Sequence, residues 1–108
     1  MIDAVTAVSG SGPAYVFLLT ECLRDAGIEA GLSPDLAAQL ARATVAGAGA
    51  LLETGATDPA VLRKNVTSPG GTTERAIQSF EQDGLRKVVA RGMFAAAERA
   101  AEMAREMG

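Results

Sequence analysis

L-R-K-V-V-A-R-G-M-F-A-A-A-E-R-A-A-E-M-A-R-E-M, residues 85–107, is the most regular run in this 108-residue chain and decides its fold class. Leu85, Val89, Met93, Ala96, Ala100, Met103 and Met107 recur at steps of three and four, the spacing of one helical face. Arg91, Glu98, Glu102 and Arg105 fall largely on other faces. No segment shows the period-two alternation of a half-buried strand, and no internal repeat is present. The expected fold is all-α.

Upstream of this run, capping chemistry marks further helices. A helix is expected over residues 72–82, stopping at Asp83-Gly84. Asp58-Pro59 opens a short helix carrying Val61, Leu62 and Val66, with Arg63 and Lys64 outward. Ser33, Pro34 and Asp35 supply a cap, a proline for the first position and an acidic first turn. The helix they start presents Leu36, Leu40, Ala43, Gly47, Ala50 and Leu51 on one face and ends near Thr54-Gly55. Gly47 and Gly49 each cost about 1 kcal/mol there relative to alanine, so close packing against another helix is expected to offset them. Residues 9–13, S-G-S-G-P, mark a break and a new start, with Ser11 or Gly12 as cap and Pro13 first. Tyr15, Leu18, Leu19, Cys22, Leu23 and Ala26 follow at helical spacing until Gly27 or Gly31. The apolar residues 2–8 are too few to classify.

The reading is one helical domain over residues 1–108, with five to six helices. Hydrophobic residues make up 48% of the chain but aromatic ones only 4%, so the helices are thin. Such helices bury too little apolar area in one copy, and self-association as an intertwined dimer is expected. A net charge of −3 argues against a nucleic-acid partner. The strongly apolar run 14–19 is far below the roughly 18 residues of a membrane span, and no signal peptide is read, so no membrane partner is expected. The single cysteine, Cys22, fits a reducing, cytoplasmic location and reads as a small core residue. Without histidine the chain cannot build a Ser-His-Asp or Cys-His centre or a histidine metal site, and no metal is expected.

Potential chemistry concentrates in residues 65–74, N-V-T-S-P-G-G-T-T-E. One reading is an inter-helix loop in which Gly70 or Gly71 takes a positive φ and a threonine caps the next helix. The other is a small-carboxylate or phosphate site, because the first amides of a helix have no internal acceptor.

Three ordered motifs bear on that choice: A-V-T-A-V-S-G-S-G-P-A-Y-V (residues 4–16), D-A-G-I-E-A-G-L (25–32) and V-T-S-P-G-G-T-T (66–73). Together they resemble the C-terminal helical domain of pyrroline-5-carboxylate reductase, over essentially the whole chain. The resemblance implies an interlocked homodimer or higher homo-oligomer, and reduction of 1-pyrroline-5-carboxylate to L-proline with NAD(P)H. It implies substrate contacts from Ser68, Gly71, Thr72 and Thr73, with backbone amides holding the carboxylate. Thr73 would be the catalytic residue, its hydroxyl facing the ring nitrogen, and Asn65 would reach the ribose region of the cofactor. In that family an N-terminal Rossmann domain binds most of the NAD(P)H. This sequence contains no G-x-G-x-x-G, and an acidic substrate-contacting residue of the family would lie just upstream of it. The chain alone is therefore expected to be inactive. The alternative is a free-standing helical dimerisation or small-carboxylate-sensing module without redox activity.

Overall fold

The computed structural model describes residues 2–107, and every regular element among them is helical. The order is α1 (Ile2–Val5), a π-helical turn (Thr6–Gly10), α2 (Gly12–Glu29), α3 (Pro34–Glu53), α4 (Pro59–Asn65), α5 (Thr72–Gln82) and α6 (Leu85–Met107). Both ends of the expected single domain, Met1 and Gly108, lie outside the described residues. The chain gathers into two compact units, one spanning Gly12–Thr57, the other joining the residues up to Ser11 with those from Asp58 onward.

In the first unit α2 and α3 form a helical hairpin. Gly12 opens α2 and Pro13 takes its second position, where a missing N–H costs nothing. Gly31, at φ +113°, closes it: the Gly31 amide donates to the Ile28 carbonyl and the Leu32 amide to the Gly27 carbonyl, both at 3.0 Å. This is a Schellman closure, which only a residue at ease with positive φ makes cheaply. Gly27 lies inside the helix, where a Cβ would come within 3.3 Å of Leu32 Cδ1 and 3.5 Å of Ala37 Cβ. Ser33 then caps α3, its Oγ accepting from the Leu36 amide at 3.2 Å.

The contact between these helices is made by small residues. Ala37 and Ala41 are buried, at 2% and 5% exposure, whereas Leu36 and Leu40 remain 43% and 49% exposed. The face carrying Leu36, Leu40 and Leu51 is thus open in this chain, because the alanine face lets α2 approach more closely. At Gly47 and Gly49 a Cβ would meet nothing within 4 Å, so the close packing expected there is not made within the chain. Cys22 is exposed, not the core residue expected.

In the second unit α6 packs against α1 and the π-helical turn. The break expected over residues 9–13 is narrower than that: helix continues through Thr6–Gly10, and the Ser11 amide donates to the Thr6 carbonyl at 2.9 Å. Ala7, on this turn, is fully buried. The stripe of α6 is rotated from the expected one. Met93, Ala96 and Ala100 are half-buried as expected, joined by Ala90, Ala97 and Ala101, while Leu85, Val89, Met103 and Met107 are exposed. Again alanine sets the distance of approach. Asp58 caps α4, its Oδ1 accepting from the Ala60 amide at 2.8 Å. Arg63 on α4 is half-buried rather than outward. It lines a cleft of about 150 Å³ with Ile77, Phe80 and Leu85.

No large side chain is fully buried among the described residues. By mean hydropathy (1.3) and length, the stretch Ile2–Glu29 is apolar enough to cross a membrane, more so than residues 14–19 alone indicate. Only 6% of the 18 residues within it that give this hydropathy are buried within the chain.

Candidate functional site

The segment between α4 and α5 is a tight turn ending in a helix start. Thr67 closes α4, its hydroxyl donating to the Arg63 carbonyl at 2.6 Å. Four residues, Ser68, Pro69, Gly70 and Gly71, then reverse the chain, and the Gly71 amide donates to the Ser68 carbonyl at 3.1 Å. Proline second and glycine at φ +75° third are the requirements of a type II turn. Of the two glycines in question, Gly70 therefore takes the left-handed conformation. Gly71 has an extended backbone (φ −91°, ψ −175°) open to any residue, but a Cβ there would lie 3.2 Å from the Ser68 carbonyl oxygen.

Gly71 is also the N-cap of α5, and no side chain caps the helix at that position. This corrects the expected threonine cap: Thr72 and Thr73 are the first and second helical residues. Their amides belong to the first turn, which has no internal carbonyl to receive them. The Gly71 amide, by contrast, is taken by the Ser68 carbonyl, which removes it from the amides expected to hold a ligand. Glu74 occupies the third helical position, and its Oε1 accepts from the Gly70 amide at 3.0 Å. In the sequence Glu74 stood only as the last residue of the 65–74 stretch. Its signal was an acidic residue three positions after a cap, the spacing of a reach-back side chain.

The structure therefore brings Ser68, Gly71, Thr72 and Thr73 into one continuous turn, and places Asn65 as the last residue of α4. The turn residues are exposed apart from the half-buried Gly71. None of them lines the cleft beside Arg63 or the cleft of about 230 Å³ between α2 and α3, bordered by Phe17, Arg24 and Arg42. A helix end holds a carboxylate by pointing amides at it and needs no enclosing cavity. The dinucleotide is a different matter. Asn65 is the one candidate contact, and a single side chain at a helix end is no cradle for a dinucleotide.

A family model described as pyrroline-5-carboxylate reductase dimerisation matches residues 1–103. The chain belongs to this family. Among curated relatives, pyrroline-5-carboxylate reductase of Pseudomonas aeruginosa is 50% identical over 107 residues, which cover 99% of this chain and 39% of the relative. The enzyme of Arabidopsis thaliana is 46% identical over 103 residues, 95% of this chain and 37% of the relative. The chain thus spans about two fifths of the length of the curated relatives it matches. Among solved structures, the Coxiella burnetii reductase superposes with a TM-score of 0.89 at 42% identity, over 94% of this chain and 37% of that one. The Plasmodium falciparum pyrroline carboxylate reductase, solved with NADP bound, gives 0.88 at 36% identity, over 94% and 39%. The match is to the dimerisation part of these enzymes, the part whose helices carry the resemblance.

Proposed function

We propose that this chain is the dimerisation and substrate-loop domain of a pyrroline-5-carboxylate reductase, an oxidoreductase that converts 1-pyrroline-5-carboxylate to L-proline with NAD(P)H. The supporting observation is the turn of residues 68–73, which offers free helix-end amides beside hydroxyls within a chain of this family. The Thr72 and Thr73 amides and the Ser68 hydroxyl hold the substrate carboxylate. The Thr73 hydroxyl faces the ring nitrogen, and Asn65 approaches the ribose. The site orients one bound molecule against another, so no strong general acid is required of it. NAD(P)H supplies the hydride and is held mainly by residues outside this sequence, which has no G-x-G-x-x-G.

Residues 1–108 act as one domain whose open apolar faces are covered by a second copy. Phe17, Leu36, Leu40, Leu51 and Phe94 are 43–66% exposed and give such a copy an apolar surface to cover. The apolar stretch Ile2–Glu29 is read as part of that interface rather than as a membrane span. The enzyme works in the cytoplasm, without nucleic acid as a partner.

The test is NAD(P)H oxidation with pyrroline-5-carboxylate, by this chain alone and joined to a dinucleotide-binding half of the family. Turnover is expected only from the joined protein. Turnover by the chain alone would overturn the claim that it is incomplete, and a joined protein that dimerises but lacks turnover would favour a sensing module.

A further inference from the structure

The turn proposed to hold the substrate is fixed by a side chain that is not itself a proposed contact. In a four-residue turn, the peptide between the second and third residues sets the type. Rotating that peptide by about 180° converts type II into type I. Here it is the Pro69–Gly70 peptide, and its N–H is the Gly70 amide that donates to Glu74 Oε1 at 3.0 Å. Glycine does little to resist such a rotation, because it occupies positive and negative φ about equally well. Gly70 stands at φ +75°, so its conformation is held by its hydrogen bonds rather than by its own sterics. If the peptide turned over, the Pro69 carbonyl would take the direction the Gly70 N–H now has, toward the first turn of α5. A carbonyl oxygen there competes with an incoming carboxylate for the helix-end amides. The neighbouring amide offers no substitute, since Gly71 N–H is already held by the Ser68 carbonyl at 3.1 Å.

We infer that Glu74 is a positioning residue for the substrate carboxylate: it locks the Pro69–Gly70 peptide so that the Thr72 and Thr73 amides stay open to the ligand. This rests on the substrate-loop reading above. The Glu74 charge does not itself meet the substrate, because its carboxylate faces the Gly70 amide on the turn side of the helix start.

The test uses the full-length reductase carrying this domain, with E74A, E74Q and E74L assayed for substrate and cofactor kinetics and for assembly size. E74A loses the acceptor and is expected to raise KM for pyrroline-5-carboxylate about tenfold, with kcat and the cofactor KM within about twofold. E74L keeps the bulk without an acceptor and is expected to repeat that result, which covers the case of an E74A protein that does not fold. E74Q keeps a side-chain oxygen able to accept from Gly70 and is expected to restore the parent KM to within about twofold. An unchanged KM in E74A and E74L overturns the inference. So does an E74Q protein as impaired as E74A, or one whose KM falls below the parent's, since then charge rather than the acceptor matters. G71V run in parallel separates the two readings. If G71V binds substrate normally, the loop is not the substrate site and both readings fail; if G71V is impaired while E74A is not, only the role of Glu74 fails.

Discussion

The α2–α3 hairpin and the turn of residues 65–74 are held together in opposite ways. In the hairpin the buried contacts are Ala37 and Ala41, while Leu36, Leu40 and Leu51 remain 43–58% exposed among the described residues. In the turn almost nothing is buried, but Thr67, Gly70 and Gly71 each make a hydrogen bond to a residue no more than four positions away. On the proposed dimer reading, the hairpin's large side chains gain the rest of their burial from a second copy. The turn takes its shape from itself. Damage to the first should therefore act through assembly, and damage to the second through chemistry with assembly intact.

The strongest way to break this contrast is L36D with L40D on α3. Leu36 and Leu40 are 43% and 49% exposed, so losing their cover by a proposed partner copy costs about 1.5–3 kcal/mol per protomer, before any charge penalty. Light scattering is expected to show a monomer at micromolar concentration. A double variant that still dimerises would mean that this face is not the covered one. Next comes G71V in the full-length enzyme. Its Cβ would press on the Ser68 carbonyl from 3.2 Å, and the γ-carbons crowd the amides of α5. The expected loss is about 100-fold in kcat/KM with the dimer unchanged, some 3 kcal/mol of transition-state binding.

T73A sharpens the same side of the comparison. Removing the hydroxyl is expected to lower kcat about tenfold and leave the dimer intact. Wild-type kinetics for both T73A and G71V would reduce the loop to a connector. The smallest effect is S33A, which removes the Oγ acceptor for the Leu36 amide. It is expected to lower thermal stability by about 1 kcal/mol without changing turnover, and D58A should do the same at α4. A change in kcat from S33A would tie the hairpin to the chemistry and blur the distinction.

Where the physics was local, the residues alone were enough. Ser33 and Asp58 were readable as caps because their side chains act on amides two or three positions away. The helix end at Gly84 was readable because a positive φ there favours glycine, whereas the residues left Gly27 and Gly31 open for α2 and the structure ends it at Gly31. The π-helical turn at Thr6–Gly10 was not readable, since serine and glycine signal a break whether or not the helix finally stops. The cap of α5 was misread for a related reason. Thr72 and Thr73 have the chemistry of caps, but the type II turn delivers Gly71 to that position first.

The order and spacing of the residues were enough for the helical class, most of the punctuation between helices, and the place where hydroxyls and helix-end amides meet. They also determined family membership, because the order of the motifs survives without coordinates. Which faces touch became visible only in the folded chain. Periodicity marks a stripe as apolar, but how closely two helices approach depends on side-chain volume. Alanine therefore took the contacts that periodicity assigned to the leucines of α3 and to Leu85, Val89, Met103 and Met107 of α6. The tertiary structure also decided which amides of the loop are engaged, since the Gly71 and Gly70 N–H groups find their acceptors only once the turn is folded.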